Sequence, residues 1–166
     1  MARPNVLIAD AGPLIALSCV GALDLLQGVF GEAWVTSEVR AEVLPAADYP
    51  GKADLVAAFE RGKLQLLPAP SQDWRPLNPG LGPGERSSIA AALERPGCLL
   101  VIDDRAGRAE ARAWKVAITG TAAVIGLAKL CGLIPAARPL LDRLQPAGYF
   151  TGSAVIETVL ADVGEI

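Results

Sequence analysis

The chain has 166 residues, of which 52% are hydrophobic and 20% charged, and its formal net charge is −3. This length and apolar content are typical of one globular domain, and the negative charge argues against non-specific binding to a polyanion. The sequence contains no histidine, which excludes Ser-His-Asp and Cys-His catalysis and the usual histidine metal sites.

Hydropathy and cysteine spacing bear on localisation. No apolar run approaches the roughly 20 residues of a membrane-spanning helix, so we expect a cytoplasmic protein without a membrane segment or signal peptide. Cys19, Cys98 and Cys131 are far apart and lack CxxC spacing. We interpret them as reduced thiols packed in the core.

The stretch from Val6 to Leu17 predicts a buried strand that turns directly into a helix. Four apolar residues lead to Asp10, and Gly12-Pro13 and a second apolar run follow. A buried carboxylate is costly unless it is compensated. Asp10 is therefore expected either to reach solvent at the end of the strand or to hold a cation.

Helices and strands alternate through the first half of the chain. The patterns predict a short helix over residues 22–27 closed by Gly28, a strand over 32–36 and a helix over 37–43 that carries Glu38 and Glu42 on one face. A helix over 52–61 and a strand over 63–67 follow. Residues 68–84 are rich in proline and glycine and contain Trp74. A connection of this length is either functional or a plain surface crossing, and both interpretations stay open.

The second half continues the alternation. A helix is predicted over residues 84–95, followed by the clearest strand, over 98–102, which leads to Asp103-Asp104. The remaining predicted elements are a helix over 106–114, a short strand over 116–118 and three helices over 122–131, 138–144 and 153–163. Apolar strands alternating with helices indicate an α/β fold with a parallel sheet covered on both faces. We expect one domain over residues 1–166, with helices in 136–166 extending its core; their apolar faces suit either a homodimer or closure of the core.

Acidic side chains follow the two strongest strands. Because the carboxyl ends of parallel strands meet at one edge of a sheet, Asp10 and Asp103-Asp104 are expected to converge there, joined by Glu42 and Glu85 if their helix ends face that edge. Without histidine, such a cluster favours Mg²⁺ or Mn²⁺, and these ions activate water for attack on phosphate.

Each acid also has an ordinary explanation. Glu85 suits the first turn of a helix, Glu42 suits a solvated helix face, and Asp103-Asp104 suits a helix cap. From the residues alone, a functional cluster and four unrelated structural acids are equally compatible with the spacing.

The order of the motifs over nearly the whole chain resembles the PIN-domain nucleases, in particular the prokaryotic PIN-like branch of toxin–antitoxin (VapC-like) type. The motifs are D-A-G-P-L-I-A-L at 10–17, G-E at 84–85, D-D-R-A-G-R at 103–108, T-G-T at 119–121 and G-L-I at 132–134. The resemblance implies a PIN-like three-layer fold with a central parallel sheet flanked by helices. It also implies a Mg²⁺- or Mn²⁺-dependent ribonuclease that acts on RNA as a toxin with a small antitoxin partner.

The resemblance maps an acidic quartet onto Asp10, Glu42, Glu85 and one of Asp103 or Asp104, of which we favour Asp104, with Asp103 adjacent. The chain departs from better-known members at Ala11, where Thr or Ser is common, and at Glu85, where Asp is usual. An alternative function is therefore a weakly active or inactive PIN-like module that binds nucleic acid or protein. A small-molecule phosphohydrolase is disfavoured because Gly12 stands where its second aspartate belongs.

Four further residues are candidates for contact with nucleic acid. Arg105 and Arg108 fall near one helical face beside Asp104, and we expect them to contact phosphates. Thr119 and Thr121 lie at the end of a neighbouring strand, where their hydroxyls could bind a phosphate oxygen or a metal-bound water. Capping of the next helix is the favoured explanation for both threonines.

Overall fold

One parallel sheet of five strands lies at the centre of the computed structural model, which describes Pro4 and residues 6–166. The strands are β1 (Leu7–Ala9), β2 (Ala33–Val35), β3 (Leu64–Leu66), β4 (Leu99–Val101) and β5 (Ile118–Thr119). Their order is β3-β2-β1-β4-β5, and every neighbouring pair is parallel. The order reverses between β1 and β4, which is where ligands bind in sheets of this kind.

Helices cover both faces of the sheet. They are α1 (Ala11–Cys19), α2 (Asp24–Phe30), α3 (Ser37–Val43), α4 (Lys52–Glu60), α5 (Pro83–Leu93), α6 (Arg105–Ala113), α7 (Thr121–Leu130), α8 (Arg138–Leu144) and α9 (Ser153–Asp162). Leu7 and Ala9 of β1 join the larger apolar cluster, whereas Ile8 joins the smaller one formed with α5 and α6. This alternation follows from the strand's period of two and confirms the predicted three-layer α/β fold. Residues 1–3 and 5 of the predicted span 1–166 lie outside the described residues.

The end of α2 differs from its prediction. The helix does not stop at Gly28 but continues to Phe30 and ends at Gly31, whose φ is 91°. Gly28 serves packing instead, since a Cβ atom there would lie 2.7 Å from Leu133 Cδ1. Local sequence cannot separate these two uses of glycine.

The last strand is also shifted from its prediction. It comprises Ile118 and Thr119 rather than residues 116–118. Lys115 adopts a positive φ of 59°, and the Val116 N–H donates to the Ala111 carbonyl at 2.9 Å. Val116 is therefore part of the turn that closes α6, which delays the strand.

Of the three cysteines, which are all free thiols, only Cys98 is buried. Cys19 is half-buried and Cys131 is exposed, so the prediction of core packing is wrong for Cys131. Within the described part of the chain, no single helix is long and apolar enough to cross a membrane. The helices α1 and α2 reach the necessary length and apolar content only when taken together, and they are bent by 114° relative to each other.

The C-terminal helices pack onto α7 and the larger apolar cluster. Leu141 and Leu144 of α8 and Leu160 of α9 are almost fully buried there. A Cβ atom at Gly126 of α7 would lie 2.7 Å from Val159 Cγ1, so the glycine lets α9 approach closely.

Candidate active site

Asp10 follows β1 directly and is only 3% exposed. Its N–H donates to the Val101 carbonyl at 3.0 Å, which continues the pairing with β4. Its side chain makes no capping bond to α1 and instead accepts from Ser88 Oγ at 3.0 Å. Among the described residues, no Lys or Arg forms an ion pair with Asp10. The carboxylate therefore stays away from bulk solvent without a protein counter-charge.

Two glutamates approach Asp10 from helix ends. Glu85 lies in the first turn of α5, and Glu42 lies in the last turn of α3. A Cβ atom at Gly84 would lie 2.5 Å from Glu42 Oε2 and 3.6 Å from Asp10 Oδ1. Both oxygens thus face the same small space, which only a glycine at position 84 leaves open.

The pKa values of these acids reflect their convergence. Burial raises the pKa of Asp10 to about 7, and the charges of Glu85 and, to a smaller extent, Glu42 act in the same direction, whereas the Ser88 hydroxyl and the nearby Ala11 N–H oppose the shift. Burial, followed by the charge of Glu85, also raises the pKa of Glu42. Mutually repelling carboxylates of this kind either hold protons or recruit cations.

The donor chemistry of the cluster fits a hard divalent cation, because carboxylate oxygens are the ligands that Mg²⁺ and Mn²⁺ prefer. As the side chains stand, no group of three or more acids or cysteines within residues 4 and 6–166 lies close enough together to hold an ion. Ligation by three carboxylates therefore requires a side-chain rotation. Glu42 is an exposed residue at the end of its helix, although its carboxylate faces Gly84.

Asp103 and Asp104 have different partners. Asp104 caps α6 by accepting from the Gly107 N–H at 2.7 Å. Its Oδ2 and Glu85 Cγ would lie 3.5 and 3.3 Å from a Cβ atom at Gly107, so Asp104 borders Glu85. Asp103 accepts from the Thr121 N–H at 2.9 Å and from Thr121 Oγ1 at 2.5 Å.

The four residues predicted to contact nucleic acid also differ in exposure and in hydrogen-bond partners. Arg105 is exposed, whereas Arg108 is half-buried and donates from Nη1 to the Ile102 carbonyl at 2.7 Å. Thr119 is half-buried in β5. Neither threonine side chain caps α7, since its capping residue is Gly120 and Asp103 binds the first free N–H. The favoured explanation of the threonines as caps therefore does not describe this helix end.

Sequence reasoning missed Ser88, which is fully buried and binds Asp10. One signal was present: Ser88 lies three residues after Glu85, and residues at this spacing share a helix face.

Its neighbour Ser87 donates to the Gly84 carbonyl at 2.8 Å and contacts Thr36 Oγ1 at 2.6 Å. Thr36 also accepts the Val39 N–H at the start of α3. Ser87 therefore joins the two helices that carry Glu42 and Glu85.

Two clefts flank the acids and meet at Tyr149. The first, of about 380 Å³, includes Asp103, Arg108 and Phe150 in its lining. The second, of about 610 Å³, includes Glu42 and Tyr49. The second cleft therefore reaches the converging acids at Glu42, whereas the first borders Asp103.

These features define an α/β protein with an acidic cluster at the point where the strand order of a parallel sheet reverses. A family model described as "PIN domain" matches residues 6–165, and the chain therefore belongs to the PIN-domain family. No curated protein and no solved structure is matched. PIN domains are generally nucleases, which are hydrolases and usually use divalent metals, so the family indicates a nuclease-type function.

Proposed function

We propose that this protein is a Mg²⁺- or Mn²⁺-dependent endoribonuclease and the toxin component of a toxin–antitoxin pair. The observation that supports this most strongly is Asp10, a buried carboxylate with a pKa of about 7 that faces two glutamates and, among the described residues, forms no ion pair with a cationic side chain. A structural acid would be compensated by a basic side chain or by several donors. Within residues 4 and 6–166, Asp10 accepts one side-chain hydrogen bond, from Ser88, and the nearby Ala11 N–H is the other group that lowers its pKa.

In this proposal Asp10, Glu42 and Glu85 are ligands, Asp104 is the fourth acid and Asp103 supports it. A divalent cation bound there would supply activation of water and stabilisation of the leaving oxygen. Ser88 orients Asp10 through its hydrogen bond.

The same proposal assigns the substrate contacts. Arg105 and Arg108 contact RNA phosphates beside the acids, and Thr119 and Thr121 line the same strand end.

The test is Asp10→Asn, assayed on RNA with Mg²⁺ or Mn²⁺ and with a chelator. We expect cleavage to fall by about 100-fold or more, because loss of an outer partner of a metal site alone costs about 10- to 100-fold. Asp54→Asn, which changes an exposed first-turn acid of α4, is the matched control. Undiminished cleavage by a folded Asp10→Asn protein would rule out the assignment.

The alternative is a catalytically weak or inactive module that binds nucleic acid or protein. It is favoured by the absence of three acids close enough to hold an ion among the described residues, and by Ala11 in place of a hydroxyl. Titration calorimetry with Mn²⁺ distinguishes the two, since no heat of binding at millimolar concentrations supports the alternative.

The proposed toxin role has further requirements for the location, partner and cellular effect of the protein. It places the protein in the cytoplasm with its RNA and requires a small antitoxin; a homodimer through the C-terminal helices is compatible with it. Expression should stop growth, and Asp10→Asn should restore it. Normal growth with active wild-type enzyme would leave a ribonuclease without a toxin role.

A further inference from the structure

Phe150 is the feature that the acidic cluster does not explain. It lies between α8 and α9 and is 83% exposed, and Val155 on the same cleft is 51% exposed. An aromatic side chain left in water forgoes the free energy that its burial would contribute. An exposed apolar patch rimmed by polar residues is typical of a binding surface.

The lining of the same cleft also includes polar residues of the candidate active site. They are Asp103, which follows β4, Arg108 of α6 and Thr119 of β5. An aromatic face and a guanidinium group in one cleft are the two elements with which proteins bind single-stranded nucleic acid: bases stack on the ring, and phosphates pair with the cation. The cleft volume of about 380 Å³ lies within the range of small-ligand sites.

Tyr149 extends this surface towards the acids. It lines both clefts, one beside Asp103 and the other beside Glu42. Tyr149 is half-buried, and burial, with the nearby Cys19, Tyr49 and Asp103, raises its pKa to about 12. Tyr149 therefore connects the cleft that contains Phe150 to the cleft that contains Glu42.

We propose that Phe150 is a stacking platform for an unpaired base of a single-stranded RNA whose backbone passes Arg108 on its way to the acidic cluster. The inference rests on the proposed ribonuclease function and narrows its substrate class. In a duplex the base faces are covered by neighbouring bases, and proteins that read RNA by stacking use unpaired segments. Phe150 thus selects single-stranded over double-helical RNA.

The experiment measures RNA binding by fluorescence anisotropy in the Asp10→Asn background, where the RNA stays intact. The probe is a labelled single-stranded RNA of about eight nucleotides, within the usual length for such surfaces, and a blunt RNA duplex is the comparison. Phe150→Ala should weaken binding to the single strand by about 5- to 150-fold, because stacking on an aromatic residue is worth about 1–3 kcal/mol per base. Binding to the duplex should not change.

Three further variants separate stacking from general apolar contact. Phe150→Trp should restore binding, and Phe150→Leu, which keeps the apolar area but not the ring, should not. Leu130→Ala, at a 63% exposed position on α7, is the control and should bind as the parent does. Because Phe150 is exposed, all of these variants should fold.

Several results would overturn the inference. They are unchanged binding by Phe150→Ala, equal binding by Phe150→Leu and Phe150→Trp, and a change of oligomeric state in Phe150→Ala measured by light scattering. The last would show that the ring contacts a second copy of the chain.

Failure of this inference is distinguishable from failure of the proposed function. Metal-dependent RNA cleavage with binding that does not depend on Phe150 defeats the inference alone. Phe150-dependent binding without any cleavage defeats the nuclease proposal and leaves the stacking platform in place.

Discussion

Two groups of carboxylates in this molecule differ in what surrounds them. Asp10, Glu42 and Glu85 converge at the end of the sheet, and the pKa values of the first two lie above their usual range. Glu94 and Glu110 lie at the base of the long loop between β3 and α5, and their pKa values lie below it. Both groups consist of carboxylates, but the first lies next to other carboxylates and the second next to hydrogen-bond donors.

The acids at the loop are surrounded by donors. Glu110 accepts from the N–H groups of Leu77 and Asn78, at 2.6 and 3.0 Å, and from the indole of Trp114 at 2.9 Å. Desolvation opposes ionisation of Glu110, but these three bonds outweigh it and lower its pKa. Glu94 similarly accepts from the backbone N–H groups of Ser71 and Gln72.

The difference separates acids that hold a loop from acids that are proposed to be functional. A carboxylate saturated by backbone donors is satisfied in its charged form and fixes a loop. Carboxylates that face one another without a counter-charge are costly to keep, and such groups cluster at functional sites. Each of the following predictions changes one member of one group.

The largest effect is expected from Glu42→Gln, compared with Glu38→Gln on the same helix. Loss of one converging charge should lower metal-dependent RNA cleavage by about 100-fold or more. Among the residues that the structure describes, Glu38 accepts one hydrogen bond, from the neighbouring Ser37 hydroxyl at 3.1 Å, so its variant should cleave as the wild type does. Equal activity of the two variants would remove Glu42 from the candidate site.

The second prediction concerns the metal-free protein between pH 5 and 8. The pKa of Asp10 is about 7 in the folded chain and 3.8 in the unfolded chain, so only the native state holds this proton between those limits. Its contribution to the free energy of unfolding is full below about pH 4 and is lost as the pH rises through 7. The whole loss is about 4 kcal/mol, of which about 3 kcal/mol falls between pH 5 and 8, at 1.36 kcal/mol per pKa unit.

Urea unfolding of the wild type and of Asp10→Asn across this range provides the measurement. The wild type should lose stability as the pH rises, and the variant should lack that part of the dependence. Parallel stability curves for the two proteins would show that Asp10 does not titrate in this range. At pH 8, Mn²⁺ should stabilise the wild type more than the variant.

The smallest effect is expected at the loop. Glu110→Ala leaves three donors without their acceptor and should lower the free energy of unfolding by about 2 kcal/mol, the scale of hydrogen bonds to charged groups. Asp73→Ala, at an exposed position of the same loop, should change it by less than about 0.5 kcal/mol. The folded Glu110→Ala protein should keep its cleavage activity, and selective loss of activity would contradict the division into two groups.

Much of the fold could be predicted because its signals are local. Apolar runs fix the strands, and proline and glycine fix several helix ends, as Pro83 does at the start of α5. Position 10 stands out, since a charge after an apolar run is conspicuous, and the Gly84-Glu85 pair stands out at the end of the proline- and glycine-rich segment. The role of Glu110 in holding the loop gave no such signal, because its two backbone partners lie 32 and 33 residues away in the chain.

The sequence by itself determined the α/β alternation and which acids follow the strands, since period and composition are properties of neighbouring residues. Only the tertiary structure determined which residues contact each acid. Ser88, 78 residues away, donates a hydrogen bond to Asp10, and Thr121 donates to Asp103. These contacts depend on strand order and helix packing, which bring distant residues together. Proximity of charges, rather than their presence, therefore distinguishes the candidate site from the acids that hold the loop.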